Sequence, residues 1–421
     1  MHKSEHKSEQ ARNSLSSVAG RLQDGSAVVA GVLSGTSVDG IDVALVRFPA
    51  IGEGQSLGAP ELLHFATQPF PEPLGSELRD FIADRDSARR GPREVALLHR
   101  DLGLAFGEAA AASARSAGIA LDLVGSHGQT VWHHDGVESA GPMTLQLGDG
   151  DHVAAAAEAT TVSDFRTADI AAGGEGAPLS ALVDDVLFPD LRRPGVILNL
   201  GGIANLTILG PRSTAGVSPL LAFDVGPAGA LLDGLARARL GQAMDRGGGV
   251  AASGEASEDL VRLLMAHPFL DLEPPKTTGR DTFGENFLGE VLAHGNGLSS
   301  KDLLASGARF VGLSILAAIE RWGSTWTGTD MPGKVPDSGG RPTQLVVAGG
   351  GVHHGPLMAT LAEGFGGRVS STGDLGVDPD AREALCFAVL AARCVRGEPS
   401  TMPGASGAVA GRILGKVSPW H

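Results

Sequence analysis

Two runs near the start of the chain set its pattern. Val28 to Leu33 is wholly apolar apart from one glycine, and from Ile41 onward apolar and polar positions alternate with Ile41, Val43 and Leu45 on one face. The first run predicts a buried strand and the second a half-buried one. Between them Ser34-Gly35-Thr36-Ser37-Val38-Asp39-Gly40 predicts a tight turn in which two glycines are free to take positive φ. The style returns later: 196–209 reads as strand, Gly201-Gly202 turn and strand, and 345–355 as a buried strand running into Gly349-Gly350-Gly351. Two halves built alike suggest an ancestral duplication.

Periodicity near 3.6 predicts helices over 74–82, 95–117, 152–158, 230–239, 255–265, 305–321, 356–363 and 380–395. Further strands are expected at 61–66, 121–126 and 144–147, and at 161–166, which ends on Asp164 and Arg166; another, 220–224, ends on Asp224. The stretch 323–343, rich in Gly, Pro, Ser and Thr, reads as a flexible insertion. Residues 1–25, opening on a His-Lys-Ser-Glu repeat without an apolar segment, read as a disordered tail rather than a leader.

At 421 residues the chain exceeds what one core usually serves, so two domains are expected. A net charge of −15 argues against a nucleic-acid partner, whose phosphates need Lys and Arg. No apolar run reaches bilayer-spanning length and no basic amphipathic face suggests docking on a membrane, so none is expected as a partner. The two cysteines, Cys386 and Cys394, fall in one predicted helix about 12 Å apart, too far for a disulfide, which fits a reducing, cytoplasmic setting.

Candidate chemistry gathers at the strand ends. The turn 34–40 aims backbone N–H groups, three hydroxyls and the Asp39 carboxylate at one point, a cradle for phosphate with an acid for magnesium; the ordinary alternative is a surface hairpin. Gly201-Gly202 forms a second phosphate-facing turn, and the bare turn at Gly349, Gly350 and Gly351 lets a flat ring lie against the backbone. His127 either binds a substrate hydroxyl or hydrogen-bonds the backbone. Asp164 with Arg166 reads as a catalytic carboxylate beside an orienting guanidinium, or as a surface ion pair. Glu383 either reaches a ligand or answers the dipole of its helix. The pairs His133-His134 and His353-His354 lack a further ligand at zinc spacing.

Taken together, the motifs from Gly31 to Asp42, Ser126-His127-Gly128-Gln129-Thr130, Asp164-Phe165-Arg166, Asn199-Leu200-Gly201-Gly202-Ile203-Ala204-Asn205, Pro274-Pro275-Lys276-Thr277-Thr278-Gly279-Arg280 and Gly349-Gly350-Gly351 resemble the anhydro-N-acetylmuramic acid kinase family. The likeness runs over about 28–419, apart from the insertion. It implies an α/β fold of two actin-like (ribonuclease H-like) lobes with an interdomain cleft. Lobe I is expected at 26–190 plus 378–421 and lobe II at 191–377. The implied activity hydrolyses the 1,6-anhydro ring of anhydro-N-acetylmuramic acid and phosphorylates O6 with ATP, giving N-acetylmuramic acid 6-phosphate and ADP in peptidoglycan recycling. The alternatives are a related kinase acting on an ordinary sugar hydroxyl and a non-catalytic nucleotide- or sugar-binding protein.

The resemblance also implies residue roles. Asp164 matches the catalytic base; Gly35, Thr36, Ser37, Val38, Asp39, Gly40, Ile41 and Asp42, with Gly201 and Gly202, match the phosphate site, and Gly349 to Gly351 the adenosine site. Arg166, His127 and Glu383 are the candidates for sugar contacts, Asp39 is the candidate for Mg2+, and pairing into a homodimer is common in the superfamily. The chain departs from the family pattern at Glu175 (usually Gln), Gly229 and His354 (usually Asn) and Ala405-Ser406 (usually Val-Thr).

Overall fold

The structure, a computed structural model, describes residues 15–35, 38–52, 54–83, 91–135, 141–210, 220–274, 276–323 and 341–420. Most of the expected insertion, including 324–340, lies outside them, as do residues 1–14 of the expected tail. Contacts divide the chain into two compact units, Met1–Pro189 with Ala381–His421 and Asp190–Asp380.

The first unit is built on strands β1 (Val28–Leu33), β2 (Ile41–Arg47), β3 (Glu61–Gln68), β4 (Leu123–Ser126) and β7 (Thr160–Ser163), with β13 (Lys416–Ser418) at one edge. Their order is β13-β7-β4-β1-β2-β3; β2 runs antiparallel to both neighbours, whereas β1, β4 and β7 are parallel. A separate hairpin pairs β5 (Gln129–Asp135) with β6 (Pro142–Leu147). All six residues of β1 are buried, as its unbroken apolar run requires of a central strand.

Helix Arg382–Val395 lies against this sheet, and two glycines allow the approach. Gly31 and Gly125 are register partners in β1 and β4, and a Cβ on either would strike helix backbone, Ala384 O at 1.8 Å or Phe387 O at 2.1 Å. The helix answers with small residues, Ala384, Ala388 and Ala391, all fully buried. Within the same unit Arg382 and Asp184, both nearly inaccessible, form an ion pair at 2.5 Å that anchors the start of this helix.

The second unit repeats the plan. Strands β8 (Gly195–Leu200), β9 (Ile203–Leu209), β10 (Leu220–Pro227), β11 (Gln344–Ala348) and β12 (Arg368–Ser371) lie in the order β10-β9-β8-β11-β12, with β9 antiparallel to both neighbours and β8, β11 and β12 parallel. Counting the strands of each sheet in chain order gives 3-2-1-4-5 in both halves, the ribonuclease H-like order, with β13 added as a sixth strand at the edge of the first. The repeat expected from the glycine hairpins is therefore present in the topology.

Two expectations need correction. Part of the expected N-terminal tail is helix Leu15–Asp24, whose Val18 and Leu22 are fully buried; two apolar residues one turn apart suffice to dock a helix in a polar context. Also, helix Ser300–Trp322 is by length and composition able to cross a membrane. Two thirds of its most apolar window is buried, with Leu303, Phe310, Val311 and Ile315 in the second unit's core, so its hydropathy belongs to a core helix. The short strands β12 and β13 have no counterpart in the sequence reading.

Candidate active site

In the first unit the turn after β1 is held from beneath. Gly35 O accepts from Val38 N at 3.2 Å and from Gln129 Nε2 at 3.3 Å, and Gln129 is completely buried. Val38 takes φ +55° while its side chain enters the core, so the turn is fixed by an apolar anchor. Its two acids differ. Asp42 accepts from Thr67 Oγ1 at 2.6 Å and is tied to β3, whereas Asp39 stands exposed on the bend. Thr36 and Ser37 lie outside the described residues.

Asp164 follows the end of β7 with φ +53°, a left-handed conformation that side chains rarely hold and that clusters at functional positions. Both its oxygens are engaged. Oδ1 accepts from Thr167 Oγ1 at 2.6 Å and from Thr167 N at 3.3 Å, and Oδ2 meets Lys416 Nζ at 2.5 Å. Partial burial works to raise its pKa, but the Lys416 ammonium and the Thr167 donors outweigh it and hold the carboxyl below the usual range. Asp164 is therefore an anion at neutral pH.

Arg166 turns inward. Its Nε donates to His127 Nε2 at 3.0 Å and its Nη1 to Gly176 O at 2.7 Å. With Nε2 accepting, His127 carries its proton on Nδ1, which donates to Gly128 O at 3.0 Å. The imidazole lies 4.5 Å from the Phe387 ring, and burial, then the Arg166 charge, push its pKa well below the ordinary value. His127 and Arg166 thus form one unit, and the backbone bond that the sequence left as an alternative for His127 is made. Glu383 sits half-buried one turn before Phe387 on the same helix.

The glycine loop after Arg166 is fastened from the far end of the chain. Buried Asp169 accepts from Gly176 N at 2.9 Å and from Ser406 Oγ at 2.7 Å, and Glu175 N donates to Ser406 O at 2.9 Å. Two of the departing positions, 175 and 406, therefore meet.

In the second unit the glycine segments converge at one end of the sheet, because parallel β8 and β11 align Asn199 with Ala348. Gly201 O accepts from Gly229 N at 2.9 Å and Gly202 O from Ala228 N at 2.9 Å, which binds the hairpin tip to the start of helix Gly229–Leu240. A Cβ at Gly229 would stand 2.9 Å from Gly201 O, so glycine there admits the tip closely. Gly349 takes φ +81°, and a Cβ on it would meet Leu200 O at 2.8 Å, while one on Gly351 would meet Leu200 Cβ at 2.5 Å. Gly350 has nothing within 4 Å of that position and is the open face of the turn. His354 caps helix Gly355–Gly364 by accepting from Leu357 N at 3.4 Å, and burial lowers its pKa so that the ring is a neutral acceptor.

Beside this end, Asp224 accepts from Asn205 Nδ2 at 2.9 Å and from Thr278 N at 2.9 Å, which docks the Lys-Thr-Thr segment. Lys276 donates to Phe269 O at 2.9 Å and lies 4.6 Å over the Phe269 ring; burial pushes its pKa down to about 8. Its role is to pin the loop. Among the described residues no group of three or more His, Cys, Asp or Glu is arranged to hold a metal.

Sequence reasoning missed Lys416 and Gln129, and it pointed to Asp224 without its partners Asn205 and Thr278. Gln129, Asn205 and Thr278 stand inside quoted motifs, so their positions, though not their partners, were in view. Lys416 gives no local signal.

Comparison with known proteins places the chain in one family. The family model for anhydro-N-acetylmuramic acid kinase matches residues 27–420. An anhydro-N-acetylmuramic acid kinase of Gloeobacter violaceus is 38% identical over 397 residues, covering 92% of this chain and 98% of that protein. One of Bacillus cereus strain ZK / E33L is 33% identical over 399 residues, covering 93% and 98%. Among solved structures, xylulose kinase from Rhodospirillum rubrum aligns with a TM-score of 0.37 at 10% identity, covering 86% of this chain and 92% of that one.

Proposed function

The chain belongs to the anhydro-N-acetylmuramic acid kinase family and is a sugar kinase using ATP, and on that premise we propose how its residues divide the reaction. The observation that carries the reading is Asp164, a strained, partly sheltered carboxylate kept ionised at a strand end. Asp164 takes a proton from a water molecule as the water oxygen bonds to C1 of the anhydro sugar. The C1–O6 bond breaks, O6 bonds to the γ-phosphorus, and the bond from that phosphorus to the bridging oxygen breaks to leave ADP. One displacement thus supplies the nucleophile for the next. The products are N-acetylmuramic acid 6-phosphate and ADP, in peptidoglycan recycling.

Arg166, held by His127 and Gly176, orients the sugar together with Glu383, and His127, whose two ring nitrogens are both engaged, acts through Arg166 rather than on a sugar hydroxyl. The turn from Gly35 to Asp42 serves the phosphates through its N–H groups, as do Gly201 and Gly202 in the second unit; Gly349 to Gly351 receive the adenosine, with Gly350 as the open face. Asp39 fits magnesium, which takes one or two carboxylates and completes its shell with phosphate oxygens and water. When bound, that ion neutralises charge on the transferring phosphoryl group. A cytoplasmic location and a homodimer complete the reading, supported by the reduced cysteines and by the habit of the superfamily.

The test mixes the purified chain with ATP and anhydro-N-acetylmuramic acid. Stoichiometric ADP is expected from the native chain and none from Asp164→Asn, which still binds ATP. Near-normal turnover by Asp164→Asn would remove Asp164 from the mechanism.

A further inference from the structure

The Asp164 carboxylate is addressed by a cation from a part of the chain 252 residues away. Strand β13 follows Gly415 and pairs antiparallel with β7, placing Lys416 opposite Ser163, the residue just before Asp164. Gly415 takes φ +109°, and a Cβ there would stand 2.4 Å from Val162 Cγ1, so the turn into β13 is pressed onto β7. The backbone registration thus delivers the ammonium to Oδ2. On the other side Thr167 holds Oδ1. Lys416 is 71% exposed and Asp164 25%, so the pair lies at the edge of solvent rather than in the core.

We propose that Lys416 is a positioning residue for Asp164, fixing the carboxylate's orientation with Thr167 and keeping it an anion ready to accept the proton of the attacking water. The proposal rests on Asp164 being the base. Other charged groups nearby point elsewhere: Arg166, on the chain just beyond β7, is engaged with His127 and Gly176, and Asp169, on the short helix that follows, with Ser406 and Gly176. Lys416 approaches Asp164 from the strand paired with β7.

An opposite charge in contact holds a carboxyl below its ordinary range, and the exposure of this pair tempers the effect. In Lys416→Met the acid limb of the kcat–pH profile is therefore expected to move to higher pH. The base form then fills only at higher pH, so kcat falls most at acid pH and recovers on raising it. KM for ATP should not change, and Lys416→Arg should restore the limb. An unmoved limb, or a loss uniform across pH that Arg does not rescue, overturns the proposal.

A second readout needs no turnover: the carboxyl carbon of Asp164, followed by NMR, should titrate at higher pH in Lys416→Met than in the native chain, and an unchanged midpoint overturns the proposal. A native chain that makes no ADP from the anhydro sugar contradicts the functional reading instead, and the titration still decides the role of Lys416.

Discussion

Arg166 and His127 act as one device: the Nε of the arginine donates to Nε2 of the histidine at 3.0 Å, which leaves the imidazole neutral with its proton on Nδ1. The arginine is thereby aimed by a buried ring that Phe387 in turn backs at 4.5 Å. A guanidinium with two fixed bonds is held in one orientation, which suits recognition of an anionic sugar substituent.

Replacing Arg166 by Met strips Gly176 O and His127 Nε2 of these donors. A buried acceptor left without its donor costs about 1–3 kcal/mol, so the unfolding midpoint should fall. The KM for the anhydro sugar should rise while that for ATP stays put. Kinetics with each substrate varied in turn, beside a denaturation curve, check both; equal rises in the two KM values would contradict the assignment.

Acid should weaken the fold through histidines wholly or partly sheltered from water. His127 lies well below its ordinary pKa because of burial and then the Arg166 charge, and burial also lowers His267 and His354. Each binds its proton more readily unfolded than folded, so its contribution is complete above about 6.5 and drains away as pH falls. The thermal midpoint should drop between pH 7 and pH 5, and His127→Gln should narrow the drop. A midpoint independent of pH in that window would oppose this account.

The three glycines after β11 should separate by substitution. Gly349→Ala forces a side chain into φ +81° and against Leu200 O, so it should destabilise the second unit by about 1–2 kcal/mol. Gly350→Ala meets open space and should leave unfolding unchanged, yet raise the KM for ATP several-fold if the nucleotide uses that face. Paired unfolding and ATP titrations distinguish the two effects, and an unaltered ATP affinity in Gly350→Ala would move the adenosine elsewhere.

Much of this was legible in the chain. The runs of β1 and β8, with glycine turns after them, announce central strands and repeated hairpins, because a strand buried on both faces must be apolar throughout. The spacing of Asp164 from Arg166 marks a strand end, but their partners were hidden. Lys416 lies on a three-residue strand too short for periodicity to register, and Ser406 reaches Asp169 across 237 positions. The helix Leu15–Asp24 escaped for a related reason: two buried residues, Val18 and Leu22, decide it while its surroundings read as tail. Local pattern shows which backbone will be buried, whereas pairing between distant segments is settled by packing.

The decisive measurement is the reaction run in water enriched in heavy oxygen, with the sugar product analysed at once by mass spectrometry. The account predicts one heavy oxygen at C1 and phosphate on O6, formed one for one with ADP. A phosphorylated sugar that keeps its anhydro ring and carries no label would contradict it.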